Sequence, residues 1–273
     1  MLEAIFALLF GLVIGSFLNV CIYRWPLDLS VVKPRSHCVS CEKTIAWYDN
    51  VPLLSFMLLG GRCRYCKARI SWRYPVVELA VGLLWFYWVY TYGPTALAAK
   101  LSILTALSVA LTFSDLEERI LPDEMTLGGT VIGLAFAYFV PVPDIYAPAI
   151  LSLILLMTGI TVSDAIRSVA SAALGAGLPA FLLWFGGWLY EKVRRREGLG
   201  LGDVKLIAMV GAFLGLQNAL MTLILGCIAG SIIGYSYIKL THKDPSTYEL
   251  PLGSFLGLAT IFMAFASEKP TGW

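Results

Sequence analysis

Hydrophobic residues run along this chain in long, nearly unbroken blocks, not in the short periodic patterns of a soluble domain. Blocks near 4–22, 75–92, 95–113, 124–140, 165–190, 204–216, 219–238 and 252–267 are separated by polar joints. Most approach the roughly 20 residues that an α-helix needs to cross a bilayer; the sixth and eighth are short. The pattern predicts an all-α polytopic membrane protein with about eight transmembrane helices. One further apolar stretch, "IYAPAILSLILLMTGITV" at 145–162, suggests a ninth crossing. The only long polar region lies between the first two blocks. The expected organisation is therefore a first span at 1–23, a small soluble insert at 24–74, and a seven-span membrane domain at 75–273.

Composition strengthens this picture. The 273 residues are 58% hydrophobic and 14% charged, with a mean hydropathy of +0.77. A soluble domain of this size is nearer half apolar and a quarter charged. A net charge of +2 gives no argument for a nucleic-acid partner, so the distribution of charge carries the information. Of 20 Lys and Arg, 17 fall in alternate loops: nine from Arg24 to Arg73, one at 114–124, five at 191–205 and two at 239–243. Basic loops stay in the cytoplasm, which predicts both termini outside and an even number of spans. A crossing at 145–162 would carry "EKVRRREGLGLGDVK" to the outer side. That stretch is therefore read as a re-entrant or interfacial insertion on the outer side. The N-terminal block carries Glu3 before it and Arg24 after it, the reverse of a secretory signal, and is read as a retained span.

Two Cys-x-x-Cys pairs, "CVSC" (Cys38, Cys41) and "CRYC" (Cys63, Cys66), stand 21 residues apart in the insert. Each turn aims two thiolates at one point, and two turns complete a tetrahedral zinc site of the zinc-ribbon kind. A pair of redox dithiols is the other reading, though a reducing cytoplasm favours free thiolates. Four cysteines leave no open coordination position, so the metal would be structural, a staple for a segment of about 50 residues. His37 beside Cys38 reads as surface, and Cys21 and Cys227 as packing residues within spans.

Among 18 acidic residues, two sit where charge is costly. Asp115 follows the uncharged run "LSILTALSVALTFS", and Asp203 begins the sixth block in "GLGLGDVKL". The charge count puts both on the cytoplasmic side. Two such carboxylates suit aspartic proteolysis, in which an ionised Asp takes a proton from water and a protonated one polarises the scissile carbonyl. Gly200 and Gly202 would let a peptide approach Asp203 closely. Two ordinary interfacial acids would look the same in sequence, and Glu117, Glu118, Asp123 and Glu124 are rivals in a solvated loop.

With these motifs placed, the chain resembles type IV prepilin peptidases, the bifunctional leader peptidases and N-methyltransferases of pilus and type II secretion systems. "GSFLNVCIYRWP" (15–26), the cysteine insert (36–79), "SDLEERILPDE" (114–124) and "GLGLGDVKLIAMVGAFLG" (198–215) match that pattern in order. "LPLGSFLGLA" (250–259) resembles the family's last span. The resemblance implies that Asp115 and Asp203 are catalytic, Asp203 within a Gly-x-Gly-Asp motif. It makes Gly200, Gly202 and Lys205 motif support, with lipid phosphate contact an equal reading for Lys205. It implies that Cys38, Cys41, Cys63 and Cys66 are the cysteines kept by members with the methyltransferase half.

The resemblance also implies a reaction. Substrates would be prepilin or pseudopilin precursors with a short basic leader, a Gly before the cut, commonly Phe after it, and a hydrophobic helix beyond. Cleavage would occur at the cytoplasmic face of the bacterial inner membrane, followed by N-methylation with S-adenosylmethionine. No Gly-x-Gly-x-x-Gly follows a strand, so a Rossmann-type cofactor site is not suggested. Asn19, Arg24, Asp49, Asn50 and Glu78 are the candidate cofactor-binding residues, although loop and cap structure accounts for each equally well. The insertion at 145–162 lengthens the gap between the aspartate motifs relative to the family.

Three other readings compete. A transporter or channel would use Asp115 and Asp203 as a proton or ion relay, but both acids lie at span ends and no inverted repeat is visible. A membrane scaffold would use the zinc insert to dock a partner. A presenilin-type protease shares Gly-x-Gly-Asp, yet has Tyr where Ser114 stands here and lacks the cysteine insert.

Overall fold

The computed structural model describes residues 1–159, 161–195, 199–241 and 250–267. Arg196, Gly198, Lys243 and Lys269, which the charge count and motifs use, lie outside them. The described residues form helices α1 (Leu2–Arg24), α2 (Leu54–Leu58), α3 (Arg73–Tyr92), α4 (Ala96–Glu118), α5 (Asp123–Phe139), α6 (Tyr146–Thr158), α7 (Asp164–Arg194), α8 (Leu201–Thr241) and α9 (Leu252–Ser267). Among these residues there is no extended strand, only isolated bridges between His37 and Thr44 and between Arg62 and Arg69.

Helices α1, α3, α4, α5, α7 and α9 fall on six of the expected blocks. The other two blocks, 204–216 and 219–238, both lie in α8, which breaks at Gly215. There φ is 85° and ψ 178°, a conformation that only glycine adopts without strain. The loop after α5 holds this break. Asp144 Oδ2 accepts the Leu216 N–H at 2.6 Å, capping the second limb of α8. Asn218 Nδ2 donates to the Pro143 carbonyl at 3.0 Å.

Among the described residues four segments are long and apolar enough to cross a membrane: Leu2–Leu27, Ala96–Glu118, Asp164–Arg194 and Leu201–Thr241. The chain is thus a helical, multi-span membrane protein. Helix α6 has 13 residues, about 20 Å of helix, against a hydrocarbon core of about 30 Å. Gly159 ends it in the left-handed region, and Arg167 Nη2 of α7 donates to Ser152 Oγ at 2.8 Å. Helix α6 is thus a short arm laid along the start of α7.

The chain partitions into two compact units, Met1–Ser114 and Asp115–Trp273. In the first, α1 and α3 pack antiparallel along a small-residue seam. Gly11 faces Gly82, Gly15 faces Glu78, and one turn further on Asn19 Nδ2 donates to the Tyr74 carbonyl at 3.1 Å. A Cβ on Gly15 would come within 2.7 Å of the Glu78 Cα. Such close backbone approach is the usual route to tight helix pairing in lipid, where burial alone drives little.

In the second unit α8 packs against α5, α7 and α9. Its closest approach to α7 pairs Gly211 with Gly175: a Cβ on Gly211 would fall 2.0 Å from the Gly175 carbonyl oxygen. That contact is backbone on backbone, so no side chain can yield. The seam fixes the first limb of α8, and with it Asp203.

Candidate active site

The second unit brings both predicted aspartates into one place. Asp115 stands in the last turn of α4 and is 6% exposed. Its Oδ2 accepts two hydrogen bonds from the start of α9, from the Ser254 N–H at 2.7 Å and the Ser254 hydroxyl at 2.8 Å. Ser254 is the third residue of α9, so its N–H has no partner within the helix. The positive end of the α9 dipole adds to the attraction for a carboxylate. Asp203 occupies the first turn of α8 and is half-buried, within electrostatic range of Asp115.

Leu121 joins these elements. A Cβ on Gly202 would lie 3.0 Å from the Leu121 Cβ, and one on Gly253 would lie 2.8 Å from Leu121 Cδ1 and 3.1 Å from the Asp115 carboxyl carbon. The side chain of Leu121 is thus wedged between the glycine before Asp203 and the glycine beside Asp115. Larger residues at 202 or 253 would push the two aspartates apart. Gly200 has more room, its nearest neighbour being Asp203 Oδ2 at 3.6 Å from a Cβ. Lys205 Nζ pairs with Asp123 Oδ1 at 2.6 Å and ties α8 to the start of α5. This contact uses one of the rival acids; Glu117, Glu118 and Glu124 are exposed. Sequence reasoning missed Ser254, Gly253 and Leu121 as parts of the site, although all three stand in quoted motifs.

The four cysteines also converge. The Sγ atoms of Cys38, Cys41, Cys63 and Cys66 all lie within 4.8 Å of one another, and those of Cys38 and Cys66 are 3.7 Å apart. A tetrahedral zinc with Zn–S of 2.3 Å has sulfur–sulfur edges of about 3.8 Å. The two knuckles repeat each other with an offset of 25 residues. Cys38 N–H donates to the Lys43 carbonyl and Cys63 N–H to Ala68; Glu42 and Lys67 both have positive φ; bridges 37–44 and 62–69 close each turn. The expected ribbon is therefore reduced to two knuckles with single bridges, because each turn is too short to extend into a strand. Convergence across knuckles fits one metal better than two separate dithiols. The backbone N–H groups of Cys66 and Tyr65 pull the Cys63 thiol down, while burial and the neighbouring thiols push Cys66 up, as expected when crowded sulfurs share protons.

His37 pairs its Nδ1 with the Arg35 carbonyl. Cys21 is buried, as expected, whereas Cys227 lies on an exposed face of α8 and does not pack inside. The cofactor candidates separate. Arg24 donates to the carbonyls of Ser30 and Pro34. Asp49 is paired with Arg64 at 2.5 and 2.7 Å, and that guanidinium holds its carboxyl below the usual range. Asn50 is exposed. Asn19 and Glu78 remain at the α1–α3 seam, and the Asn19 Oδ1 is a buried acceptor with no hydrogen-bond partner.

Residues 9–92 match the Bacterial Peptidase A24 N-terminal domain, and residues 102–235 the Type IV leader peptidase family. The chain is similar to a prepilin leader peptidase/N-methyltransferase of Myxococcus xanthus, 40% identical over 89% of this chain and 65% of that protein's length. A protein of the same description from Pseudomonas putida is 33% identical over 93% of this chain and 87% of its own. One from Pseudomonas aeruginosa is 32% identical over 92% and 86%. No solved structure matches significantly.

Proposed function

The chain belongs to the type IV leader peptidase family, and from that premise we propose that Asp115 and Asp203 form the catalytic dyad of its peptidase half. The protein is a prepilin leader peptidase and N-methyltransferase: it removes the leader from prepilin-like precursors and methylates the new N-terminus. The ion-relay reading of the two acids falls away with this membership.

The observation that supports the dyad is the asymmetric setting of its members. Adjacent carboxylates hold one proton between them, since ionising both is costly. An oxygen that accepts two hydrogen bonds carries no proton itself, so Oδ2 of Asp115 is fixed as acceptor. The other oxygen, Oδ1, is left for the reaction. We assign Asp115, the member that accepts these two bonds, as the base and Asp203 as the acid. Water loses a proton to Asp115 Oδ1 while its oxygen adds to the scissile carbonyl carbon, and Asp203 gives its proton to the carbonyl oxygen. On collapse Asp115 returns the proton to the leaving nitrogen, the C–N bond breaks, and Asp203 takes back a hydroxyl proton. An apolar cleft of about 290 Å³, lined by Leu182, Leu183, Gly186, Gly187, Tyr190 and Leu199, adjoins the segment leading into Gly200. It suits the apolar part of a precursor. The basic loops support a cytoplasmic-facing site.

For the methyltransferase half, the four cysteines are proposed to hold one structural zinc ion. Asn19 and Glu78 are proposed to face S-adenosylmethionine, a cation rich in donors that suits an orphaned acceptor and a carboxylate. When bound, that molecule supplies the methyl group.

Ser254→Ala tests the assignment of roles. The variant keeps the N–H bond to Asp115 and loses the hydroxyl bond, a charge-assisted contact of the kind worth about 1.5–3 kcal/mol. Cleavage should lose about 10- to 100-fold in kcat with little change in KM, and Ser254→Thr should restore it. An unchanged kcat in the alanine variant would remove Ser254 from the mechanism.

A further inference from the structure

The segment between α1 and α3 does not stand clear of α3. Leu53, just before α2, donates its N–H to Glu78 Oε2 at 2.9 Å. Phe56 of α2 packs its ring on Trp72, with centroids 5.1 Å apart. Trp72 immediately precedes α3, whereas Glu78 is five residues past its first residue, Arg73. At 1.5 Å per residue that is about 8 Å further along the axis. Helix α2 therefore runs beside the opening turns of α3, between the level of Trp72 and the level of Glu78. Trp at the end of a spanning helix marks the boundary between headgroups and acyl chains.

Helix α2 turns its apolar side outward at this level. The Ser55 hydroxyl donates to the Tyr48 carbonyl at 2.9 Å and accepts the Val51 N–H at 3.0 Å, so Ser55 is buried on the side facing the insert. Leu54, Met57 and Leu58 share the opposite face, spaced three and four apart. Met57 is 75% exposed, Leu58 78% and Trp72 73%. Solvent exposure of such a cluster on a soluble module would be costly. Around it, residues 25–73 carry eight Lys and Arg against three acids. An outward apolar face inside a basic segment is the composition of an element that lies in a membrane interface, and basic side chains there draw anionic lipid.

We infer that α2 is seated in the bilayer interface: Leu54, Met57 and Leu58 enter the boundary of the acyl chains, and the surrounding basic residues bind anionic phospholipid headgroups. The insert is then a membrane-surface element whose cysteine knuckles are held at the lipid boundary. This rests on α3 lying in the membrane with α1, a candidate span to which it is paired from Gly11–Gly82 through Gly15–Glu78 to Asn19–Tyr74, and is independent of the peptidase roles assigned above.

Photocrosslinking tests it. The full chain, carrying p-benzoylphenylalanine in place of Met57, is placed in nanodiscs of equal parts phosphatidylglycerol and phosphatidylcholine, then irradiated, digested and weighed. A second protein carries the probe in place of Leu58, and a control in place of Ser55. The expected result is a phospholipid mass on the peptide containing residue 57 or 58, with phosphatidylglycerol adducts several-fold above phosphatidylcholine, and little on the Ser55 control. Adducts to another copy of the chain, or no lipid adduct at either position, would overturn the seating. Equal yields of the two lipids would overturn the anionic preference.

Discussion

Asp115→Asn and Asp203→Asn should each reduce leader cleavage by about a thousand-fold or more while leaving the protein inserted in the membrane. The size follows from what each change removes. General acid or base transfer contributes about 10²–10⁴-fold, and in a two-carboxylate mechanism the loss of either member stops both proton movements. Asn keeps the shape of Asp, and its amide oxygen can still accept the two bonds from Ser254, so the start of α9 should keep its place. Effects within such a unit are not additive, and the double variant should be no worse than either single one. A gel shift of a prepilin reads the outcome. Processing retained by either variant would remove that aspartate from the dyad.

The second large effect is expected in the first unit. Cys38→Ser, or any of the other three cysteines changed to Ser, should take the zinc content from about one ion per chain to near zero. Structural zinc sites contribute about 10–16 kcal/mol of apparent binding free energy. Around the cysteine cluster the described residues offer two short 3-10 turns, the five-residue α2 and two isolated bridges, far less than a hydrophobic core. Without metal the knuckles should open, and limited trypsin should cut first near Arg64 and Lys67. Methyl transfer should fall much further than cleavage, because the dyad lies in residues 115–273 and the cysteines in residues 1–114. Metal analysis and the ratio of the two activities check this. A metal-free protein with both activities intact would overturn the structural role.

Local chemistry was legible in the sequence because it depends on residues close together in the chain. The first block, read as 4–22, is α1 at Leu2–Arg24, and the Cys-x-x-Cys spacing anticipated the sulfur cluster. The two blocks at 204–216 and 219–238 were separated correctly, but the break falls at Gly215 and not at 217–218. A glycine among many in an apolar run gives no sign that it alone has positive φ. Four cysteines at this spacing fix a metal geometry and say nothing of the single bridges that close each knuckle.

Long-range contacts were not legible. Ser254 and Asp115 are 139 positions apart, and nothing in "LPLGSFLGLA" singles out a hydroxyl aimed at a carboxylate. The seam of Gly11, Gly15 and Asn19 on Gly82, Glu78 and Tyr74 was hidden because Asn19 and Glu78, although visible as polar residues in apolar blocks, carry no sign of which block faces which. Five residues, "LSFML", are too few to show an amphipathic period; the placement of α2 beside α3 comes from Glu78 and Trp72.

The central claim is that one chain cleaves and methylates a prepilin-like precursor, with Asp115 and Asp203 carrying the cleavage. It is tested most directly by incubating purified protein with a prepilin and S-adenosylmethionine and weighing the mature N-terminus. The account predicts loss of the leader plus one methyl group for the native chain, and intact precursor for Asp203→Asn. A precursor left whole by the native chain, or matured by Asp203→Asn, would contradict it.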